Sequence, residues 1–169
     1  MSVLFVAFIF GAFSKIGIVS GLRVYIEDIS LEDVDSEYFD VDNTDGYVID
    51  NTISTNLTVI KQLPDDTEAH FKISGLSMGK YTLPTGVDVR MPICEVQDEP
   101  IILGPFFSVL GFSEEHCPPE PGNYHKEGYT LPMENLPDDF PNNKYQALFE
   151  ITAGDESILS AEVYCDVQT

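Results

Sequence analysis

Hydrophobic and polar residues alternate along several short stretches of this chain. In residues 51–61, for example, Ile53 and Leu57 fall on one face of an extended backbone and Asn56 falls on the other. Alternation with a period of two is the pattern of a half-buried β-strand. The clearest of these stretches are residues 22–29, 51–61, 69–73, 87–93, 145–151 and 158–167.

This pattern predicts about seven short strands joined by turns, and no convincing amphipathic helix. Short strands of this kind usually form two packed antiparallel sheets. We therefore expect an all-β fold, a two-sheet antiparallel sandwich or β-cup of immunoglobulin-like type, in one domain over residues 22–169. Two segments are expected to be irregular: the acidic residues 30–50, with a turn at Asp45 and Gly46, and a Gly-rich connection at residues 75–79.

The most apolar segment covers residues 101–112 and contains no charged side chain. Gly104 and Pro105 are expected to break regular structure in its middle. A segment this apolar must be buried against the core, or must contact a ligand or a membrane. It is therefore either a loop or short helix packed onto the core, or a wall of an internal apolar cavity. Its candidate ligand-binding residues are Ile102, Leu103, Phe106, Phe107, Leu110 and Phe112.

The first residues of the chain have the character of a secretory signal peptide. Residues 1–13 are apolar but too few to span a bilayer, which takes about 20 residues. Val19 and Gly21 are small enough for the positions before a cleavage site, so residues 1–21 are expected to be removed. The alternative is a buried N-terminal strand. No later segment is apolar enough to cross a membrane, which predicts an exported protein, extracellular or in the lysosomal lumen, and not an integral membrane protein.

The charge of the chain limits its partners. The sequence contains 29 acidic and 8 basic residues, for a formal net charge of −21. Binding to nucleic acid needs basic contacts to phosphate, so a nucleic-acid partner is not expected. The same charge repels anionic membrane surfaces at neutral pH. The histidines and cysteines form no spaced set of ligands, so neither a metal nor another cofactor is predicted.

Cys94, Cys117 and Cys165 are the only cysteines. Because an exported protein meets an oxidising environment, one disulfide is expected. Cys94 and Cys117 flank a loop of moderate length and are the preferred pair, which leaves Cys165 as a small core residue. Asn56 begins the only glycosylation sequon, Asn-Leu-Thr, on the polar face of its strand, so we expect a glycan there.

Three short motifs resemble functional sites but are interpreted as structural. Residues 75–79 match the G-x-S-x-G elbow of hydrolases, yet the residues that follow will not form the helix that the elbow needs. Asp40, Asp42 and Asp45 are similar to a calcium loop whose glycine falls one place late. The three histidines lack a partner at a recognisable spacing and are expected at surface or turn positions. The sequence thus predicts no catalytic residue and no enzyme.

A series of short motifs runs through the second half of the chain. They are Cys117-Pro118, Gly122 with Tyr124, Tyr129-Thr130-Leu131-Pro132, Leu136-Pro137, and Tyr145 after Asn142-Asn143. In order and spacing, this series resembles the ganglioside activator proteins of the ML lipid-recognition family. It is also similar to related small secreted arthropod proteins linked to chemosensation. With three cysteines, the chain differs from the disulfide-dense activators.

The resemblance implies a β-cup whose two sheets hold an acyl chain between them, with residues 101–112 at its rim or wall. It implies a secreted, non-enzymatic protein that binds or transfers a lipid or other hydrophobic ligand. The implied partners are that hydrophobic molecule and either a glycosidase, to which a glycolipid would be presented, or a receptor. The alternative is an extracellular immunoglobulin-like protein-interaction module without a cavity, with acidic residues 32–50 as its partner surface.

Overall fold

The computed structural model describes residues 21–132 and 140–169. The expected signal peptide, apart from Gly21, and the Leu136-Pro137 motif lie outside these ranges. The strands are β1 (Arg23–Glu32), β2 (Asp45–Ile49), β3 (Thr52–Val59), β4 (Thr67–Ser77), β5 (Lys80–Pro92), β6 (Gly122–Tyr129), β7 (Asn143–Ala153) and β8 (Glu156–Gln168). The described helices are α1 (Leu103–Leu110) and the short 3-10 helices Val41–Asn43, Ile93–Asp98 and Glu114–His116. Within the described ranges, no helix is both long and apolar enough to cross a bilayer.

The strands form two sheets in which all neighbouring strands are antiparallel. The larger sheet has the order β1-β8-β7-β4-β5, and the smaller has the order β2-β3-β6. Phe71 on β4, Ile151 on β7 and Leu57 on β3 are buried and belong to one hydrophobic core between the sheets. This arrangement confirms the predicted class, an all-β sandwich of two antiparallel sheets.

Strand β1 is longer than predicted and keeps its apolar side chains on one face through a bulge. Val24 and Ile26 are buried, as their alternation predicts. The pairing with β8 shifts by one residue between Ile26 and Asp28. A bulge of this kind inserts one extra residue and reverses the alternation beyond it. Ile29 and Leu31 therefore also reach the interior of the sandwich.

The acidic segment contains a strand that the sequence pattern does not predict. Residues 45–49 form β2, which pairs with β3 along its whole length, so the predicted turn at Asp45 and Gly46 is wrong. Gly46 instead lies against β1, because a Cβ at this position would be 3.1 Å from Cδ1 of Ile29. The turn lies at Asp50 and Asn51, whose φ angles are +50° and +64°. Two-residue hairpins favour such angles, and Asn and Asp tolerate them.

The Gly-rich connection at residues 75–79 is also largely strand. β4 runs to Ser77 and β5 begins at Lys80, with Met78 and Gly79 as a two-residue turn at φ +50° and +80°. Ser77 therefore lies in a strand-turn-strand hairpin. The strand-turn-helix geometry of a hydrolase elbow is not formed here, which agrees with the structural interpretation of this motif.

Strand β6 is missed because its sequence shows little hydrophobic alternation. It lies at the edge of the smaller sheet and pairs with β3. Tyr129 is buried and Tyr124 half-buried, whereas Asn123, Lys126 and Glu127 carry polar groups. An edge strand with one solvated face needs few apolar residues, so periodicity gives only a weak signal.

Asn51 joins the smaller sheet to the edge of the larger one. Its Oδ1 accepts a hydrogen bond from the N–H of Ile26 (2.6 Å), and its Nδ2 donates to the carbonyl of Val24 (3.0 Å). Both groups belong to β1, an edge strand that pairs with β8 on its other side. One amide side chain thus takes the place of a neighbouring strand over two backbone groups.

We predict that Asn51→Gly lowers the free energy of unfolding by about 1–3 kcal/mol, because two hydrogen bonds are lost while the positive φ stays accessible. Urea unfolding checks this. The matched control is Met78→Gly, at a positive-φ turn position with a fully exposed side chain. The control is expected to match the wild type or exceed it slightly. An Asn51→Gly protein as stable as the wild type would show that the two bonds do not hold the sheets together.

Candidate functional site: an apolar cavity between the sheets

A cavity of about 160 Å³ lies between the two sheets. This volume is about ten times what one water molecule needs. Its wall is formed by β1, β3, β4, β6, β7, β8 and α1, together with flanking residues such as Leu131 and Phe140. Among the described residues, the lining contains no Lys, Arg, His, Asp or Glu. The sandwich is therefore hollow rather than solid.

The inward faces of β7 and β8 supply much of the wall. On β8, the alternate residues Leu159, Ala161, Val163, Cys165 and Val167 all line the cavity. On β7 the same is true of Tyr145, Ala147, Phe149 and Ile151. Two of these positions are alanines, whose small side chains leave space that a larger residue would fill. None of the candidate ligand-binding residues lies on β7 or β8, although the alternation of both strands is visible in the sequence.

The helix α1 forms part of the cavity wall and contacts both sheets. The ring of Phe107 lies 5.1 Å from that of Phe149 on β7, measured between centroids. The ring of Phe106 lies 5.2 Å from that of Tyr129 on β6 in an edge-on arrangement. Aromatic pairs in this geometry stabilise by about 0.5–1.5 kcal/mol each beyond their burial. The helix thus spans the gap that the narrower three-stranded sheet leaves uncovered.

The helix begins where the sequence pattern predicts a break. Gly104 and Pro105 are the second and third residues of α1. The N–H groups of the first turn have no intrahelical acceptor, so proline costs no hydrogen bond there. The expected interruption is therefore wrong, and the segment is a short helix. The helix ends at Leu110. Gly111 caps it with φ +97°, and the N–H of Phe112 donates a hydrogen bond to the carbonyl of Phe107.

The carboxylate of Glu99 holds the start of this helix. It accepts hydrogen bonds from the backbone N–H groups of Ile101 (3.0 Å), Ile102 (2.7 Å) and Leu103 (2.6 Å). The carbonyl of Glu99 also accepts a bond from the N–H of Gly104, at 3.0 Å. Bonds from N–H groups to a charged acceptor are among the stronger ones in proteins. The positive end of α1 is therefore already occupied by an anion of the chain itself.

A disulfide fixes the segment that carries α1. Cys94 and Cys117 are bonded, with their Cα atoms 5.6 Å apart, so the predicted pair is confirmed. The bridge closes a loop that includes α1 and all of the 3-10 helix Ile93–Asp98 except its first residue. In the chain-entropy model a loop of this size stabilises by about 3 kcal/mol. Ile93 and Val96 are buried beside it and anchor the loop in the core.

The structure places five of the six candidate residues at the cavity. They are Ile102, Leu103, Phe106, Phe107 and Leu110. Phe112 is not part of the wall but packs beside it. Its ring centroid lies 4.8 Å from that of Phe107 and 4.6 Å from that of Tyr124. Phe112 thus supports the wall residue Phe107 from outside the cavity.

Cys165 is the remaining cysteine, and its side chain lines the cavity. Burial in the apolar wall raises the pKa of the thiol to about 11, and Glu27 and Asp166 add to this shift. The thiol therefore stays protonated at neutral pH and is a poor nucleophile. The position agrees with the prediction of a small core residue on the face of Val163 and Val167.

The histidines and the aspartates of the suspected calcium loop are not part of the cavity wall. His70 is on the outer face of β4 but is only 8% exposed, contrary to the surface or turn position predicted for it. Its Nε2 lies 2.8 Å from Asp88, and its Nδ1 lies 3.5 Å from Glu150. The hydrogen bond to His70 and the ammonium of Lys72 lower the pKa of Asp88. The partners come from β5 and β7, so the sequence spacing could not show them.

In the suspected calcium loop, the carboxylate of Asp40 accepts hydrogen bonds from its neighbours in the chain. Asp40 accepts hydrogen bonds from the N–H of Asp42 (3.2 Å) and the side-chain amide of Asn43 (2.7 Å) at the start of a 3-10 helix. Within the described part of the chain, no group of three or more His, Cys, Asp or Glu residues is placed to hold a metal.

Asn56 is half-buried on β3, where its Nδ2 donates to the carbonyl of Asn43 at 2.7 Å. This bond uses one of the two amide hydrogens and leaves the other for substitution. Asn56 also lines a groove on the smaller sheet, together with Tyr47 and His125.

No protein-family model matches this chain, and no curated protein matches it. Six solved chains match. One of them is the crystal structure of a Niemann-Pick type C2 protein from the Japanese carpenter ant, which is 13% identical. The alignment covers 83% of this chain and 89% of that one, with a TM-score of 0.30. Because this score is too low to carry an argument, the fold class rests on the strand pairing described above.

We predict that Gly104→Ala lowers the free energy of unfolding by about 2–3 kcal/mol or more. The reason is that a Cβ there would lie 2.2 Å from the carbonyl oxygen of Glu99 and 2.4 Å from that of Gln97, so the start of α1 must move. Chemical denaturation measures the effect. In the matched control Gly122→Ala, the nearest atom would be 3.7 Å away, and a change of only about 0.5 kcal/mol is expected. Equal losses in the two variants would contradict the tight junction.

Proposed function

We propose that this protein is an exported, non-enzymatic protein that binds a lipid or another hydrophobic molecule in the cavity between its sheets. The observation that supports this most is the cavity itself, whose wall is apolar on both sheets and on α1. Transferring an alkyl group from water into such a space gains about 0.8 kcal/mol per buried CH₂. An apolar pocket of this kind is the usual form of a small-molecule site.

The wall favours binding over chemistry. A catalytic centre needs a nucleophile, an acid or a base poised near neutral pH. The described lining contains no carboxylate and no histidine, and its only thiol has a pKa of about 11. The proposed role of the wall residues, including Phe107 and Leu110, is therefore to bury apolar surface of a ligand.

The alternative of an interaction module with a solid core is not favoured. It would require the sheets to pack directly on each other, whereas α1 and the aromatic residues around it leave a space between them. The disulfide between Cys94 and Cys117 agrees with an oxidising environment. We propose an extracellular location, with the lysosomal lumen as the alternative. Presentation of a glycolipid to a glycosidase, or delivery of a ligand to a receptor, would be the step after binding.

Filling the cavity is expected to abolish binding. An uncharged fluorescent probe, phenyl-naphthylamine, should give a saturable signal with the wild type. Ala147→Phe places an aromatic ring in the cavity, and the probe affinity should fall at least about tenfold. Gln146→Phe introduces the same side chain at the adjacent residue, which is not part of the wall, and should leave the affinity unchanged. Absence of a saturable signal from the wild type, or equal losses in both variants, would overturn the proposal.

Export is expected to bring a glycan to Asn56. When the protein is produced with its own N-terminal segment in a eukaryotic secretory host, intact mass should show a glycan that Asn56→Gln removes. Thr58→Ser keeps the sequon and the hydroxyl, so this control should still carry the glycan. Secreted wild-type protein with the mass of the bare polypeptide would contradict this expectation.

A further inference from the structure

The cavity offers nothing that neutralises a negative charge. A buried carboxylate or phosphate needs a cation or several N–H donors, because an unpaired charge in an apolar site is costly. None of the described lining residues is Lys, Arg or His. Residues 133–139, which connect the wall residues Leu131 and Phe140 along the chain, include Glu134, Asp138 and Asp139 but no basic residue. This segment therefore supplies no cation wherever it lies.

The hydrogen-bond donors at the start of α1 and on Tyr145 are already used within the protein. A helix N-terminus commonly binds an anion, but at α1 the carboxylate of Glu99 takes the N–H groups of Ile101, Ile102 and Leu103. The hydroxyl of Tyr145 donates to the carbonyl of Pro141 at 2.7 Å. No free cluster of donors remains at these places for an anionic headgroup.

Two further observations point in the same direction. The thiol of Cys165 is part of the wall, and its pKa of about 11 shows that the surroundings disfavour a negative charge there. The formal net charge of −21 adds long-range repulsion of anions. This second effect is weakened by salt, since screening at physiological ionic strength acts over about 8 Å. The lack of basic residues in the described part of the wall therefore disfavours an anionic ligand more than the net charge of the protein does.

We propose that the cavity selects uncharged hydrophobic molecules, such as alcohols, esters and hydrocarbons, over lipids with an ionised carboxylate or phosphate. This inference rests on the proposed binding function and specifies its ligand class. The apolar part of the ligand lies among the side chains of both sheets and α1. An anionic head loses its hydration at this wall without gaining a partner, whereas an uncharged head loses far less.

The test is competition against the bound phenyl-naphthylamine at about pH 7, where a carboxyl group with a pKa of about 4–5 is ionised. The competitors are dodecanol, methyl dodecanoate and dodecanoate, which share the length of their alkyl chain. The ester keeps the carbonyl group and lacks the charge, so it isolates the effect of ionisation. The alcohol and the ester are expected to displace the probe at similar concentrations, and the carboxylate only at a concentration at least about tenfold higher.

A substitution in the wall tests the cause. Leu131→Lys adds a cation at a half-buried position of the lining, and the disadvantage of the carboxylate relative to the ester should shrink severalfold. Leu131→Gln changes the polarity without adding charge and should keep the wild-type ratio. An unchanged ratio in Leu131→Lys would overturn the argument from the missing cation.

The outcomes separate the two proposals. Equal competition by dodecanoate and its methyl ester would overturn the selection for uncharged ligands while leaving the binding function intact. No saturable probe binding by the wild type would instead overturn the binding function itself.

Discussion

The anchoring of α1 by Glu99 is the contact on which the hollow interior depends. The carboxylate of Glu99 accepts hydrogen bonds from three backbone N–H groups. Gly104 lies against the carbonyls of Glu99 and Gln97, where a Cβ atom would not fit. This junction fixes where the helix starts and hence where Phe106 and Phe107 point. Their rings contact the smaller and the larger sheet, respectively. A shift of the helix would let the sheets approach each other or leave their inner faces open.

The cavity follows from a mismatch in size between the two layers. A sheet of five strands faces a sheet of three, so the smaller layer cannot cover the inner face of the larger one. In a solid sandwich, large side chains would fill the difference. Here Ala147 and Ala161 leave space at the inner face, and α1 covers the side. The disulfide between Cys94 and Cys117 keeps this covering segment in place without enlarging the core.

The sequence predicts the sandwich well because strands such as β3, β7 and β8 alternate clearly, and alternation reports burial on one face. It predicts β2 and β6 poorly because edge strands are paired and buried on fewer sides, so few apolar residues mark them. The break expected at Gly104 and Pro105 is wrong because proline is tolerated in the first turn of a helix. Five of the candidate cavity residues were recognisable from their apolar run. The wall positions on β7 and β8 were visible as alternation, but only the pairing of strands shows which inward faces border the cavity and which are filled.

The burial of Cys165 also protects the covalent structure of the protein. A chain with three cysteines admits three possible single bridges, and a free thiolate can attack an existing bridge and rearrange it. In the folded protein this third sulfur sits in the apolar wall with a pKa of about 11, so almost none of it is in the reactive form. The position of Cys165 on β8 thus keeps its thiol from exchanging with the bridge between Cys94 and Cys117. The bridge is therefore protected against exchange with the chain's own third thiol as long as β8 stays paired in the sheet.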